Sequence, residues 1–194
     1  MFSGAGVSTS TGIPDYRGPQ GVWTLQEKGE TPAEFSLENA QPSFGHRFVA
    51  NLVEKGYCSG VVTTNIDNLF QKAGVEAVAE LHGNCFREQC RDCKRVYVRS
   101  FDVTKMNGAP ENHETSRSCD DCKGALLDTI VHFGEALSAE DFSKAQDWAK
   151  SAGIALVLGT SLRVAPANKL PSLCREVFIV NLQKTPLDSS SCVT

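Results

Sequence analysis

Two Cys-x-x-Cys pairs in the middle of the chain constrain its fold more than any other feature. Cys90 and Cys93 form the first pair, and Cys119 and Cys122 form the second pair after 25 intervening residues. Four thiolates with this spacing can complete a tetrahedral Zn²⁺ shell, which leaves no coordination position for water or substrate. We therefore predict a structural zinc site that stabilises a small lobe. Unrelated buried cysteines or two disulfides are the alternatives, and disulfides are uncommon in a chain without a secretory segment.

Composition is that of an ordinary globular protein. The 194 residues, 41% hydrophobic and 22% charged, can form one substantial core with a small satellite. We see no secretory signal and no apolar run near the ~18 residues that span a bilayer, so we expect an intracellular protein without a membrane partner. The remaining cysteines, expected to be buried hydrophobes or surface thiols, are Cys58, Cys85, Cys174 and Cys192.

Charge argues against a nucleic-acid-binding protein. The formal net charge is −4, and residues 85–123 contain eight Lys or Arg against seven Asp or Glu, a net of +1. A zinc finger that reads DNA needs a basic face and paired histidines, which this segment does not have. We expect no direct sequence-specific binding of nucleic acid.

Short apolar runs alternate with helical patterns, which predicts an α/β fold with a mainly parallel, Rossmann-like sheet and helices on both faces. Residues 60–63, 154–158 and 177–180 are predicted strands. Ser43 should cap one helix and Ser138 another. The side chains expected to face the core are Phe44, Phe48, Val49, Leu52 and Val53 in the first helix, and Phe142, Ala145, Trp148 and Ala149 in the second.

We interpret residues 1–194 as one catalytic domain. Residues 1–84 and 128–194 would form the Rossmann-like part, and residues 85–127 the zinc-binding module, with a polar loop at 106–110. Only Met1-Phe2-Ser3 precede the first glycine turn, so the central strand that such a sheet needs is expected to be nearly absent. We therefore expect the sheet to be truncated and interpret the chain as a fragment.

Polar or glycine-rich segments follow several of the predicted strands. Gly4-Ala5-Gly6-Val7-Ser8-Thr9 could let backbone N–H groups approach a pyrophosphate ahead of a helix, although a plain turn is the alternative. Residues 63–67, 159–161 and 181–183 occupy carboxyl ends of strands, where open α/β sheets bind ligands. The alternative for Asp67 is a helix N-cap. Together these junctions predict one ligand-lined crevice.

His82 is the candidate general base, because imidazole titrates near neutral pH and the following Gly83 should leave the ring accessible. A structural histidine that is satisfied by hydrogen bonds is the alternative. His46 on a helix, His113 in the polar loop and His132 beside Phe133 have less context.

Taken in order, the motifs resemble the sirtuin family over nearly the whole chain. They are Gly-Ala-Gly-Val-Ser (4–8), Ile-Pro-Asp-Tyr-Arg-Gly (13–18), Asn-Ile-Asp (65–67), Leu-His-Gly (81–83), the four cysteines, Phe-Gly-Glu (133–135), Gly-Thr-Ser-Leu (159–162) and Val-Asn-Leu (180–182). Residues 21–24, 128–135 and 179–183 look most like the class IV branch, which holds the sirtuin six and seven types.

The resemblance implies NAD-dependent removal of acyl groups from protein lysines, histones among them, with NAD⁺ consumed, and in this branch sometimes mono-ADP-ribosylation. His82 would be the base, and the four cysteines would hold structural zinc. An acyl-lysine peptide would pair with the segment containing Val131, Phe133, Gly134 and Glu135, for which an ordinary strand is the alternative. The implied NAD site comprises Ala5, Gly6, Ser8, Thr9, Asp15, Tyr16, Arg17, Trp23, Asn65, Asp67, Gly159, Thr160, Ser161, Asn181, Leu182 and Gln183.

The chain departs from the family pattern at three positions, where Thr64 replaces the usual Gln, Asn68 a Gly and Phe70 a His. Threonine is too short for the ribose contact expected of Gln, so weaker NAD⁺ binding is expected, and Thr64→Gln should raise activity. A catalytically impaired homologue that binds NAD⁺ or peptide is therefore the competing interpretation. An NAD-dependent oxidoreductase fits less well, since the third glycine is missing. Nuclear residence is implied only by the resemblance.

Overall fold

The computed structural model describes residues 1–105 and 112–190. The predicted loop at 106–110 and Cys192 lie outside these residues. The strands are β1 Phe2–Ser3, β2 Val61–Thr63, β3 Val78–Glu80, β4 Arg87–Cys90, β5 Val96–Val98, β6 Glu114–Ser118, β7 Ala125–Asp128, β8 Ile154–Leu158 and β9 Glu176–Val180. The helices are α1 Val22–Glu27, α2 Phe44–Glu54, α3 Leu69–Lys72 and α4 Ala139–Ser151. No helix among the described residues is long and apolar enough to cross a membrane.

The larger sheet has five parallel strands in the order β3-β2-β1-β8-β9, which confirms the predicted α/β class. β1 contains only two residues, as expected, yet it occupies the centre and pairs on both sides. Phe2 lies opposite Val62 in one neighbour and Val157 in the other. Because all strands run in one direction, their carboxyl ends meet at the same edge, where ligands bind in such sheets.

Alternating strand residues pack into two separate hydrophobic clusters. Val62 and Ala79 belong to the cluster that includes Ala145 and Ala149 of α4, whereas Val61 and Val78 pack with Val49 of α2 and Phe70 of α3. Successive side chains of a strand point to opposite faces, so helices cover both faces of the sheet. The prediction for α4 is confirmed: Ser138 caps it by accepting from the Asp141 amide at 3.2 Å, and Phe142 and Trp148 pack against the same core.

The predicted inward face of α2 is partly wrong. The cap at Ser43 is present and Val49 is fully buried, but Phe44 is 77% exposed and Phe48 is 45% exposed. Their rings stack on each other at 6.2 Å on the outer side. The core instead receives His46, which is fully buried against Phe70 at 4.6 Å between ring centroids. A polar residue can occupy this buried position because its ring has hydrogen-bond partners in Ser43, at the helix cap, and in Ser8.

The smaller sheet is antiparallel, in the order β5-β4-β7-β6, and it carries the four paired cysteines. Its centre contains a fully buried carboxylate. Glu88 accepts hydrogen bonds from Arg99 Nε at 2.6 Å, Arg117 Nε at 2.7 Å and Thr115 Oγ1 at 2.7 Å. Burial raises the pKa of Glu88, but these donors outweigh burial and the net pKa is lowered. The division of the chain at residues 85 and 127 stays a prediction, and β7 extends to Asp128.

Candidate active site

A cleft of about 1280 Å³ opens along the carboxyl edge of the parallel sheet. It is larger than the ~300–1,000 Å³ usual for small-molecule sites, so it can hold an elongated ligand together with a second one. The structure brings together on its walls the predicted residues Ala5, Gly6, Thr9, Asp15, Tyr16, Arg17, Trp23, Asn65, His82, Val131, Phe133, Gly134, Glu135, Gly159, Thr160, Ser161, Asn181, Leu182 and Gln183. Ser8 and Asp67 are absent from the cleft lining.

Two glycine turns pack backbone to backbone at the floor of the cleft. The Gly6 amide donates to the Gly159 carbonyl at 2.8 Å, and a Cβ added at Gly6 would lie 2.8 Å from the Gly159 Cα. Gly159 itself has a φ of 57°. Any side chain at these positions would separate the turns and fill the space beside them, so the cradle requires glycine. The helix expected after the first turn is not formed; 3₁₀ turns cover Ala5–Val7 and Thr9–Thr11 instead.

Ser8 and Asp67 form a buried layer directly behind the cleft wall. Ser8 Oγ donates to Asp67 Oδ2 at 2.6 Å, and Asn65 Nδ2 donates both to Ser8 Oγ at 3.2 Å and to the Gly4 carbonyl at 3.1 Å. Asp67 Oδ1 also accepts from the Leu69 amide at 2.9 Å and so orders the start of α3, but the N-cap residue of this helix is Asn68, so the N-cap alternative for Asp67 is wrong. Ser8 and Asp67 therefore position Asn65 and the first turn.

His46 extends this layer and was not identified from the sequence. Its Nδ1 accepts from the Ser43 amide at 3.1 Å, which places the proton on Nε2, and Nε2 lies 3.4 Å from Ser8 Oγ. Burial lowers the pKa of His46, and nearby Asp67 raises it to a smaller extent. The Ser-x-x-His spacing of a capping box was the available signal, because a side chain at that position can reach back to the N-cap amide.

An aromatic group covers one end of the cleft. Trp23 lies 4.9 Å from Tyr16 and 5.7 Å from Phe133 between ring centroids, and the Arg17 guanidinium lies 4.4 Å above its ring. Asp15 Oδ1 accepts from the Gly18 amide at 3.0 Å and thereby closes the turn that carries these residues. Gln183 Nε2 donates to the Arg17 carbonyl at 3.3 Å and so links this loop to the segment after β9.

Arg163 also lines the cleft, although no sequence motif pointed to it. Its charge lowers the pKa of Arg17, although burial of Arg17 is the larger cause of that shift. Two guanidinium groups therefore face this part of the cleft and make it favourable for an anion. Arg163 follows the Gly-Thr-Ser-Leu motif directly, and proximity to that motif was the only signal in the sequence.

His82 follows β3 and lines the same cleft in a half-buried position. Burial lowers the pKa of His82, and a hydrogen bond to the Thr64 backbone raises it to a smaller extent. Gly83 has a φ of 79°, and a Cβ there would overlap the carbonyl oxygen of Thr129. A neutral, accessible imidazole suits proton abstraction near neutral pH.

The predicted substrate segment lies next to this histidine. The Val131 amide donates to the His82 carbonyl at 3.1 Å, and Thr129 Oγ1 donates to the Asn84 carbonyl at 3.1 Å. β7 ends at Asp128, and residues 129–135 form no regular strand in the chain as described. The alternative of an ordinary strand ending at Gly134 is therefore wrong, and this irregular segment contributes one wall of the cleft.

The four paired cysteines converge to one point. Their Sγ atoms all lie within 4.8 Å of one another, with Cys90 and Cys122 at 3.3 Å and Cys93 and Cys119 at 3.6 Å. All four are free thiols, so the two-disulfide alternative does not apply. Bonds of ~2.3 Å to a tetrahedral Zn²⁺ place sulfurs about 3.8 Å apart, and this cluster fits such an ion. None of the four lines the cleft.

Comparison with known protein families agrees with the fold. The model of the Sir2 family matches residues 30–166, and the chain therefore belongs to the Sir2 family. This confirms the resemblance found in the sequence.

Relatives are similar over almost the entire chain. Identity is 42% over 202 residues with NAD-dependent protein deacetylase sirtuin-7 of Bos taurus, covering 97% of this chain and 50% of that protein. It is 40% over 203 residues with NAD-dependent protein deacetylase SRT1 of Arabidopsis thaliana, covering 100% of this chain and 42% of that protein. A solved structure described as Sir2-p53 peptide-NAD+ superposes with a TM-score of 0.76 at 35% identity, covering 99% of this chain and 84% of that one. The chain spans about half the length of these two relatives.

Proposed function

We propose that this chain is an NAD-dependent protein-lysine deacylase. The observation that carries the proposal is the convergence of three features on one cleft: the paired glycine turns, the half-buried His82 and the irregular segment at 131–135. A nucleotide cradle, a base and a peptide-binding wall are what an acyl transfer from lysine to a dinucleotide requires. Relatives named NAD-dependent protein deacetylase support this function.

The glycine turns would receive the pyrophosphate of NAD⁺. Gly6 and Gly159 leave open backbone where a Cβ would otherwise stand, and Arg17 and Arg163 add positive charge nearby. Asn65, held from behind by Ser8, would position the nicotinamide ribose. NAD⁺ supplies the ADP-ribose group that accepts the acyl group, with nicotinamide as the leaving group.

His82 would act as the general base. Because burial lowers its pKa, the ring is neutral at physiological pH and can accept a proton from a ribose hydroxyl. The acyl-lysine peptide would lie along Val131, Phe133, Gly134 and Glu135, with backbone pairing supplying affinity independently of side chains. Because Val131 is hydrogen-bonded to His82, base and peptide segment would keep a constant separation.

The four cysteines would hold a structural zinc ion that cross-links the two loops of the smaller sheet. Tyr97 Oη lies 3.1 Å from Cys119 Sγ and would donate to this sulfur once it is a zinc-bound thiolate, which would orient one ligand. The ion would stabilise the smaller sheet and take no part in acyl transfer.

We further propose that histones or other nuclear proteins are substrates, in line with the sirtuin-7 relatives.

The decisive experiment is incubation of the chain with an acetyl-lysine histone peptide and NAD⁺, followed by measurement of nicotinamide and O-acetyl-ADP-ribose. His82→Ala should abolish both products while retaining the zinc content and thermal midpoint of the wild type. Formation of ADP-ribosylated protein in place of O-acetyl-ADP-ribose would replace the proposal by mono-ADP-ribosyl transfer.

A binding module without turnover is the second candidate, and Thr64 is the observation that favours it. Thr64 lines the cleft, and its Oγ1 lies 3.5 Å from the Ser3 carbonyl, so the hydroxyl points back toward the sheet. Thr64→Gln should raise turnover and NAD⁺ affinity. Peptide binding without any release of nicotinamide, in both wild type and Thr64→Gln, would support the binding module.

A further inference from the structure

A cluster of titratable side chains lies at the far end of the proposed peptide-binding segment, residues 131–135, where this segment meets the smaller sheet. The His113 ring is hydrogen-bonded on both nitrogens, with Nδ1 3.0 Å from Asp128 Oδ1 and Nε2 2.8 Å from Glu135 Oε1. The side chain of His113 is only 19% exposed, and that of Asp128 is 13% exposed. A neutral imidazole has one N–H, so both contacts are donor bonds only when the ring is protonated.

Glu135 links this cluster to the peptide segment. Its second oxygen, Oε2, accepts from the His132 amide at 2.8 Å, and its own amide donates to the His132 carbonyl at 3.1 Å. One carboxylate therefore closes the turn at 132–135 and attaches that turn to His113. Asp128 Oδ1 in addition accepts from the Ile130 amide at 2.9 Å, which orders the start of the same segment.

The segment is consequently fixed at two points. The Val131 amide is hydrogen-bonded to the His82 carbonyl, and the Glu135 carboxylate is hydrogen-bonded to His113. His113 belongs to the zinc lobe, by which we mean the smaller sheet with the four paired cysteines and the residues next to it. The residues between them line the cleft. We propose that His113 is a positioning residue that clamps the peptide-binding segment against the zinc lobe and thereby sets the affinity for the acyl-lysine peptide. This inference rests on the proposed function, since it assigns the peptide to this segment.

The proposal predicts a pH dependence. The hydrogen bonds to Glu135 and Asp128 raise the pKa of His113, while burial lowers it to a smaller extent. A group with a raised folded-state pKa contributes its stabilisation fully below the unfolded value of about 6.5, and the contribution is lost as pH rises through the folded pKa. Among residues 1–105 and 112–190, three groups face the ring: Asp128 from β7, Glu135 from the turn, and His132, whose ring lies 4.7 Å away. The clamp therefore weakens on the alkaline side.

The test compares steady-state kinetics of the wild type and His113→Gln from about pH 6 to about pH 9. The matched control is Glu114→Gln at the adjacent residue, the first of β6, which removes the surface ion pair between Glu114 and Arg91. Near pH 6.5, His113→Gln should raise the KM for acetyl-lysine peptide about three- to fivefold, as expected for a partly exposed, charge-assisted contact. Its kcat and its KM for NAD⁺ should stay near the wild-type values. The peptide KM of the wild type should rise toward that of the variant as pH rises, whereas the KM of the variant stays flat.

Several outcomes would overturn the clamp. A peptide KM equal in wild type and His113→Gln would do so, and so would a fall in kcat without a change in KM. If the wild type binds peptide without turnover, the deacylase proposal fails, and the Kd of a fluorescein-labelled acetyl-lysine peptide replaces KM as the readout. A wild type that binds no peptide refutes the clamp as well. If His113→Gln does not fold, the test is an NMR titration of the His113 ring in the wild type and in Glu135→Gln. Glu135→Gln must lower the pKa of His113, and an unchanged pKa overturns the proposal.

Discussion

Replacing Ser8 by alanine tests the buried layer behind the cleft most directly. Ser8 is 1% exposed and Asp67 is 4% exposed, so water cannot replace a lost hydrogen bond without entering the layer. The Asp67 carboxylate has two donors among the described contacts, the Ser8 hydroxyl at 2.6 Å and the Leu69 amide at 2.9 Å. Ser8→Ala removes the shorter of these hydrogen bonds and leaves the buried carboxylate with only one of the two donors.

The magnitude follows from these contacts. Loss of a hydrogen bond to a buried charged group costs about 1.5–3 kcal/mol. Asn65 Nδ2 loses its 3.2 Å contact with Ser8 but keeps the Gly4 carbonyl, which adds only a small cost. We expect the free energy of unfolding to fall by about 2–3 kcal/mol, a large share of the ~5–15 kcal/mol typical of a domain. For a chain of this size the thermal midpoint should fall by about 4–12 °C.

The assay is urea unfolding of the zinc-loaded protein, followed by tryptophan fluorescence, with thermal melts as the second measurement. Ser10→Ala is the matched control, because Ser10 is exposed on the same loop and its loss should change stability by no more than about 0.5 kcal/mol. Equal stability of Ser8→Ala and Ser10→Ala would refute the argument that this layer supports Asp67 and the glycine turn.

The remaining predictions concern His82, the adjacent Gly83, the buried Glu88 of the smaller sheet and the zinc ion. Since burial lowers the pKa of His82, the acidic limb of the kcat–pH profile should have its midpoint below about 6.5; a midpoint above that value contradicts the assigned base. Gly83→Ala should abolish turnover, because the new methyl group overlaps the Thr129 carbonyl at a φ of 79°, and wild-type activity would disprove this packing. Glu88→Gln should lower the free energy of unfolding by about 2–4 kcal/mol, measured by urea unfolding, since it removes the buried charge that its arginines pair with. Removal of zinc with a chelator should unfold the smaller sheet and lower the thermal midpoint, and an unchanged melt would exclude a structural ion.

Much of the fold could be read from local patterns. The strands at 154–158 and 177–180 and the helix after Ser138 formed as expected, because their apolar spacing matches a strand or helix buried against a sheet. The same rule failed for Phe44 and Phe48 of α2. An apolar side chain gains from burial only where a partner covers it, and α2 presents these rings outward while His46 takes the inner position.

The candidate site was also recognisable in outline. Glycine turns and polar residues at strand ends converge because parallel strands end at one edge, so their order along the chain was sufficient to predict the crevice. The sequence did not predict how deeply each of these residues is buried. Ser8 and Asp67 belong to the same motifs as Ala5 and Asn65, yet they lie behind the wall, since side-chain direction depends on how the turns pack.

By itself, the sequence determined the four-cysteine cluster, the parallel α/β class and the candidate base, because each depends on spacing within a short stretch of chain or on strand order. Only the tertiary structure decided that His46 supports the glycine turn and that His113 reaches Asp128 and Glu135, which are 15 and 22 residues away in sequence. Contacts of this kind arise when separate elements pack together and bury polar groups that must then find partners. No local pattern records which partner will be found.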